Sequence, residues 1–223
     1  MNMYITKIAF GWCSLLVLVA AFLLPGRTVL APPPSGNVCV FGESPSPFVT
    51  PSYEETRAAL LNPWGIRPVH SGNIDEGTLW LARAMFSESK RHDEQELVGW
   101  VVRNRVESEH RGCNSYKSCV LDPFQFSAFI ESRPSANFYI GLDLSPISLS
   151  IPGWKKTLAL AYYIRHADDE LRPFPRTVLH FYSEQSLLDP EISPEWVQDW
   201  TPITPARNFQ LDEERFRFYS GIP

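Results

Sequence analysis

"LARAMFSESKRHDEQELVGWVVRNRV", residues 81–106, reads as two amphipathic helices joined by a short charged turn. Leu81, Ala84, Met85 and Glu88 recur at three- and four-residue spacing and share one helical face, with Leu79, Ala82 and Phe86 on the adjacent one. This predicts a helix from about residue 74 that ends near Glu88. Leu97, Val98, Val101 and Val102 mark the buried stripe of a second helix, expected over Asp93–Ser108, and Asn104 continues the Leu97/Val101 line. Asp93 and Glu94 at its start suit the positive end of the helix dipole.

A carboxylate that closes an apolar stripe is the feature that asks for an explanation. Partial desolvation disfavours its charged form and raises its pKa, which keeps a proton available near neutral pH. The alternative is a last-turn Glu facing water, the commoner fate of glutamate. Asn104 needs partners if it is buried on its stripe. Its amide either orients Glu88 or a substrate hydroxyl, or serves as a cap or inter-helix clamp. Gln125 and Ser127 flank Phe126 in "QFS", the combination of edge hydrogen bonds and a stacking face that a sugar site offers. An ordinary loop with one buried Phe is the other reading. His180 and Tyr182 alternate onto one face of the strand-like "TVLHFYS", either lining the same cleft or packing a half-buried strand.

Around this pair of helices the chain is easily divided. It has 223 residues, a formal net charge of −5 and 44% hydrophobic residues, enough for a real core in one domain with an N-terminal extension. There is no basic stripe, so nucleic acid is not an expected partner. Ile8–Leu24 runs without a charge after Lys7, which predicts an export signal or a membrane anchor within residues 1–31. Cleavage after Ala31 would satisfy the small-residue rule, but Pro32 follows that bond and favours an anchor. The expected location is therefore outside the cytoplasm, in the periplasm or envelope, with the inner membrane as an attachment point.

Residues 32–72 read as a proline-rich linker with a short helix, since Ser52 stands three residues before Glu55 in a capping-box pattern. The remaining domain is 73–223. A further helix is expected in "GWKKTLALAYYIRHADD", with Pro152 near its first turn and Ser150 as a possible cap. "GCNSYKSCVLDPFQFSAF" and "SRPSANFYIGLDLSPISLSIPG" look like loops, and the tail from Pro194 onward looks irregular. The fold class is mainly α, a small helical domain with a few short extended segments. Cys113 and Cys119 close a small loop suited to a disulfide in an oxidising compartment, leaving Cys39 without a mate. The cysteine spacing is not a zinc pattern, so neither a metal nor another cofactor is expected. Phosphate-binding glycine loops, G-x-S-x-G and H-E-x-x-H are all missing from the sequence.

"LARAMFSES", "VGWVVRNRVES", "QFSAF" and "HFYS…PEWV", in that order over roughly residues 77–200, resemble the cell wall hydrolase family of spore-cortex-lytic type. The resemblance implies a lysozyme-like α+β fold and lytic transglycosylase activity on peptidoglycan glycan strands. It puts the catalytic Glu on Glu88, the family's Asn-Arg pair on Asn104 and Arg105, and its Gln-Phe-Ser segment on Gln125, Phe126 and Ser127. Where members carry an Ala-Arg-Gly-Glu-like segment after the catalytic Glu, this chain has "SKRHDE", and its inter-helix link is shorter. The implied reaction needs one carboxyl, because the substrate's own C6 hydroxyl is the nucleophile. A muramidase using water would want a second carboxylate, for which Asp93 or Glu94 are the nearest choices. A non-catalytic, envelope-anchored glycan-binding protein is the reading from another class.

Overall fold

The computed structural model describes residues 48–123, 125–183, 199–211 and 216–222, all within one compact unit, Glu43–Pro223. The apolar run at 8–24, Cys13 and Cys39 lie outside the described residues. Within them, no helix is long and apolar enough to cross a membrane.

Seven α-helices and one two-stranded sheet make up the described part: α1 Tyr53–Leu61, α2 Glu76–Glu88, α3 His92–Glu107, α4 Tyr116–Val120, α5 Ala136–Gly141, α6 Pro146–Leu149, α7 Trp154–His166, β1 Val178–Ser183 and β2 Phe216–Ser220. The fold is mainly helical, as the periodicity requires. Helices α2, α3 and α7 pack on one another and form its centre. Leu81, Met85, Leu97, Val101, Trp100, Trp154 and Leu160 are fully buried between them. Trp80 and Trp100 therefore both belong to the core.

Local chemistry sets the helix ends. Asp75 caps α2 by accepting from the Thr78 N–H at 2.8 Å, and its carboxylate also pairs with Arg165 of α7. Ser52 and Glu55 form the expected capping box on α1, with the Ser52 N–H reaching the Glu55 carboxylate at 2.8 Å. Helix α7 begins differently from expectation. Ser150 does not cap it; the Ser150 hydroxyl turns back to the Ile147 carbonyl at 2.6 Å and ends α6 instead. The cap position is Gly153 at φ 86°, a left-handed conformation that costs glycine little and a Cβ-bearing residue more. Pro152 stays outside the helix.

Three segments depart from the sequence reading. Residues 48–72 are not a free linker: Ala59, Leu60 and Ile66 join the core, and the Tyr162 hydroxyl donates to the Val49 carbonyl. The stretches expected as loops contain α4, α5 and α6, each too short to display a helical period; Ser115 with Ser118 caps α4, and Ser145 caps α6. Residues 216–220 of the tail form β2, antiparallel to β1 with Phe181 opposite Phe218 and Tyr182 opposite Arg217. A register irregularity falls between Val178 and His180. Phe181, Phe216 and Phe218 gather there, and α3 packs against β1.

Gly99 marks the tightest approach of the three central helices. A Cβ at that position would lie 2.7 Å from Ile164 Cδ1 of α7 and 3.0 Å from Met85 Sδ of α2. Gly99→Ala is expected to overpack the core and lower the unfolding free energy by about 1–3 kcal/mol, despite the better helix propensity of alanine. Denaturant titration checks this; an unchanged midpoint would contradict the packing.

Candidate active site

Glu88 occupies the last position of α2, and the chain turns sharply after it. Ser89 is extended and nearly fully buried, and its N–H still bonds the Met85 carbonyl at 3.2 Å. The first turn of α3 then grips it. The Ser89 hydroxyl donates to the buried Glu94 carboxylate and accepts from the Arg91 N–H at 3.0 Å; Gln95 Nε2 donates to the Ser89 carbonyl at 2.7 Å. Helix α2 is thereby stopped one residue past Glu88, and the carboxyl is left half-buried at the helix end.

Burial raises the Glu88 pKa to about 7 from an ordinary 4.5, against the pull of two cations, Arg105 and Lys90. Both of these are drawn down by desolvation, Arg105 to about 10 and Lys90 to about 8. Arg105 is 4% exposed on α3. Its Nε donates to the Leu179 carbonyl of β1 at 2.7 Å, and its guanidinium lies over the rings of Phe126 at 5.6 Å and Phe181 at 5.8 Å. Its NH1 is buried with no hydrogen-bond partner among the described residues. The Lys90 ammonium donates to the Phe86 carbonyl and sits over the Phe86 ring at 3.6 Å. Tyr139 of α5 completes the surround: its hydroxyl pKa is raised, first by burial and then by the Glu88 charge.

The other expected residues divide. Asn104 is fully buried and fully used: its amide donates to the Pro175 carbonyl at 3.2 Å and the Val178 carbonyl at 2.9 Å, and its oxygen accepts from Arg172. It clamps α3 to β1 and to the chain just before it, the inter-helix-clamp alternative carried to a strand. Gln125 is half-buried and Ser127 exposed; Phe126 between them is buried beneath Arg105, which ties this loop to the site. His180 is half-buried and meets His110 edge-on at 5.2 Å. Burial, with the charges of Arg105, His110 and Arg111, lowers its pKa to about 4, so it is neutral beside Arg105 at neutral pH. Tyr182 is 7% exposed and belongs to the packing of the strand; its hydroxyl has no hydrogen-bond partner among the described residues. Cys113 and Cys119 form a disulfide that closes the turn after α3.

Sequence reasoning missed Lys90 and Tyr139. Lys90 was legible only as part of a charged turn, and Tyr139 lay in a stretch with no helical period. Asp93 and Glu94 are not free: Asp93 accepts the Gln210 N–H at 2.6 Å, and Glu94 is fully buried against Ser89 with Arg91 at 3.4 Å. Glu96 also has a pKa raised to about 7, again by burial, but it is 1% exposed and engaged by Arg207 and the Trp100 indole N–H. No cluster of three or more metal-binding side chains occurs among the described residues.

Comparison with known protein families matches no family model, and no curated protein or solved structure matches the chain.

Since the Glu88 pKa rises on folding, the native state favours its protonated form. The resulting destabilisation sets in as pH rises past 4.5 and is complete above about 7. Relative to Glu88→Gln, the wild type is therefore expected to lose roughly 1–3 kcal/mol of stability between pH 4 and pH 8. Parallel denaturation of the two proteins across that range measures it; a constant difference would mean that Glu88 is solvated like a free carboxyl.

Proposed function

We propose that the protein is an envelope enzyme that cleaves the β-1,4 bond between N-acetylmuramic acid and N-acetylglucosamine in peptidoglycan, as a lytic transglycosylase of lysozyme-like architecture. The observation that carries this reading is the state of Glu88: a half-buried carboxyl with a pKa near 7, beside two cations. Burial retains its proton until it is needed, and Arg105 and Lys90 then make the carboxylate tolerable once the proton has left.

Protonated Glu88 gives its proton to the bridging oxygen as the bond from that oxygen to the muramyl C1 breaks. The Glu88 carboxylate, held in the field of Arg105 and Lys90, next takes the proton of the muramyl C6 hydroxyl. The C6 oxygen bonds to C1, and Glu88 returns to its starting protonation state. One carboxyl performs both transfers, and the product end is a 1,6-anhydro ring. Hydrolysis with a second carboxylate as nucleophile or base is disfavoured, because Asp93 and Glu94, the nearest choices in sequence, are both engaged in holding the fold. The exposed Ser127 and half-buried Gln125, next to the buried Phe126, supply polar contacts to a glycan lying along this edge. The charge-free run at 8–24 fits export and attachment to the membrane facing the wall.

Glu88→Gln is expected to reduce turnover of purified peptidoglycan by about 10²–10⁴-fold while sacculus binding and folding persist. Mass spectrometry of the wild-type digest should find ends lighter by one water than reducing ends. Exclusively reducing ends would replace the transglycosylase with a muramidase, and a wild-type protein that binds sacculi without ever solubilising them would leave a binding protein.

The chemistry also has a pH signature. Its first step uses protonated Glu88, so the basic limb of kcat/KM should descend with a midpoint near 7. A basic limb that first falls above pH 9 would assign the proton to another group.

A further inference from the structure

One cavity in the described part lies away from Glu88. It has a volume of about 1040 Å³ and opens where α3 begins, between the end of α1 and residues 207–210. Glu88 does not line it, but Lys90, two residues further on, does. The cavity is too roomy for an inorganic ion and falls in the size range of sites for small organic molecules.

Its lining combines apolar surface with unmatched polar groups. Trp64 stands at 81% exposure, with the Lys156 ammonium over its ring at 5.9 Å. Lys156 is exposed and has no carboxylate within ion-pair reach among the described residues. His92 lines the cavity with both ring nitrogens buried and without hydrogen-bond partners among the described residues. Arg207 is in the same position at its Nε, although its other nitrogens bind Glu96 and the Leu60 and Leu171 carbonyls. Of the four cationic side chains that line the cavity, Arg91 pairs with Glu94 at 3.4 Å, Arg207 pairs with Glu96, and the Lys90 ammonium donates to the Phe86 carbonyl, which leaves Lys156 for a ligand. Both carboxylates of the lining are engaged as well, Glu96 by Arg207 and Asp93 by the Gln210 N–H.

We infer that this cavity is a binding site for an organic carboxylate the size of a short peptide or a sugar–peptide unit, with its body against Trp64 and its charge toward Lys156. The apolar lining and the exposed ring accept a carbon framework, the Lys156 ammonium accepts its carboxylate, and His92 offers a neutral donor and acceptor between them. Two sources share that chemistry: a free acidic peptide, and a peptide borne on an amino sugar. The site stands apart from the proposed reaction and needs no turnover to be occupied. Through Lys90, whose charge also acts on Glu88, its occupant is placed to influence the acid.

Calorimetric titration of the full-length protein tests the site. The probes are muramyl dipeptide (N-acetylmuramyl-alanyl-isoglutamine), N-acetyl-alanyl-isoglutamine without the sugar, the forms of both with the remaining carboxylate amidated, and inorganic phosphate. Binding is expected only for the carboxylate forms. Lys156→Glu should weaken it by about fivefold or more, and Trp64→Ala by a few-fold. Both side chains are exposed, so unchanged thermal melting will show that the variants fold. Equal affinity for the two carboxylate probes assigns the site to the peptide; tighter binding of the muramyl form adds the sugar ring on Trp64, and either result supports the inference. It is overturned if amidated probes or phosphate bind equally well, if no probe binds, or if neither substitution changes the affinity. Cleavage is not read in this experiment, so the fate of Glu88 and the fate of the cavity are separate outcomes.

Discussion

The contact between Ser89 and the buried Glu94 carboxylate sets the geometry on which everything else depends. A helix of apolar stripe such as α2 would otherwise run on or fray into the charged turn. Here the first turn of α3 takes the residue after Glu88 by its hydroxyl and its carbonyl, and the chain reverses within three residues. Glu88 is thereby held at a helix end that packs against α3, rather than on an outward face. The buried carboxylate of Glu94 thus fixes the place of a second carboxyl, that of Glu88.

The balance at Glu88 is one of opposing electrostatic effects of similar size. Desolvation pushes its pKa up, Arg105 and Lys90 push it down, and desolvation prevails without making the acid permanently neutral. Arg105 can serve in this way because it is immobilised. Its Nε is fixed on the Leu179 carbonyl, and its guanidinium is covered by Phe126 and Phe181. Asn104, one residue earlier, fastens the same turn of α3 to the chain entering β1. The small sheet therefore matters beyond its size: it supplies the carbonyl and the ring that position the cation facing Glu88. His180, with a pKa lowered to about 4 by burial and the nearby cations, adds bulk but little charge beside Arg105, and burial with the same cations lowers the pKa of His110.

Long amphipathic elements were readable from the residues because burial imposes a period on them. Helices α2 and α3 and the body of α7 follow their stripes, and the half-buried state of Glu88 follows from its place on one. Shorter elements carry no such record. Helices α5 and α6 have six and four residues, less than two turns, and Tyr139 was invisible with them. Strand β2 depends on a partner more than thirty residues away, so its "FRFYS" alternation had no visible counterpart. Asn104 shows the remaining difficulty. Its position on an apolar line said that it was buried and bonded, but a single helix cannot say what lies across from it, and the partners are the Pro175 and Val178 carbonyls at the entry to the strand. Whether residues 52–72 pack on the domain was open from the sequence for a related reason. Prolines suggest a linker, while its few apolar residues, Leu60 and Ile66 among them, are enough to bind it to the core.

If burial tunes Glu88 as an acid, its own carboxyl carbon will report it: NMR titration of protein labelled at glutamate, with Glu88→Gln to assign the signal, should give an apparent pKa near 7, well separated from the exposed glutamates. A midpoint near the ordinary 4.5 would mean that the carboxyl is solvated like a free one.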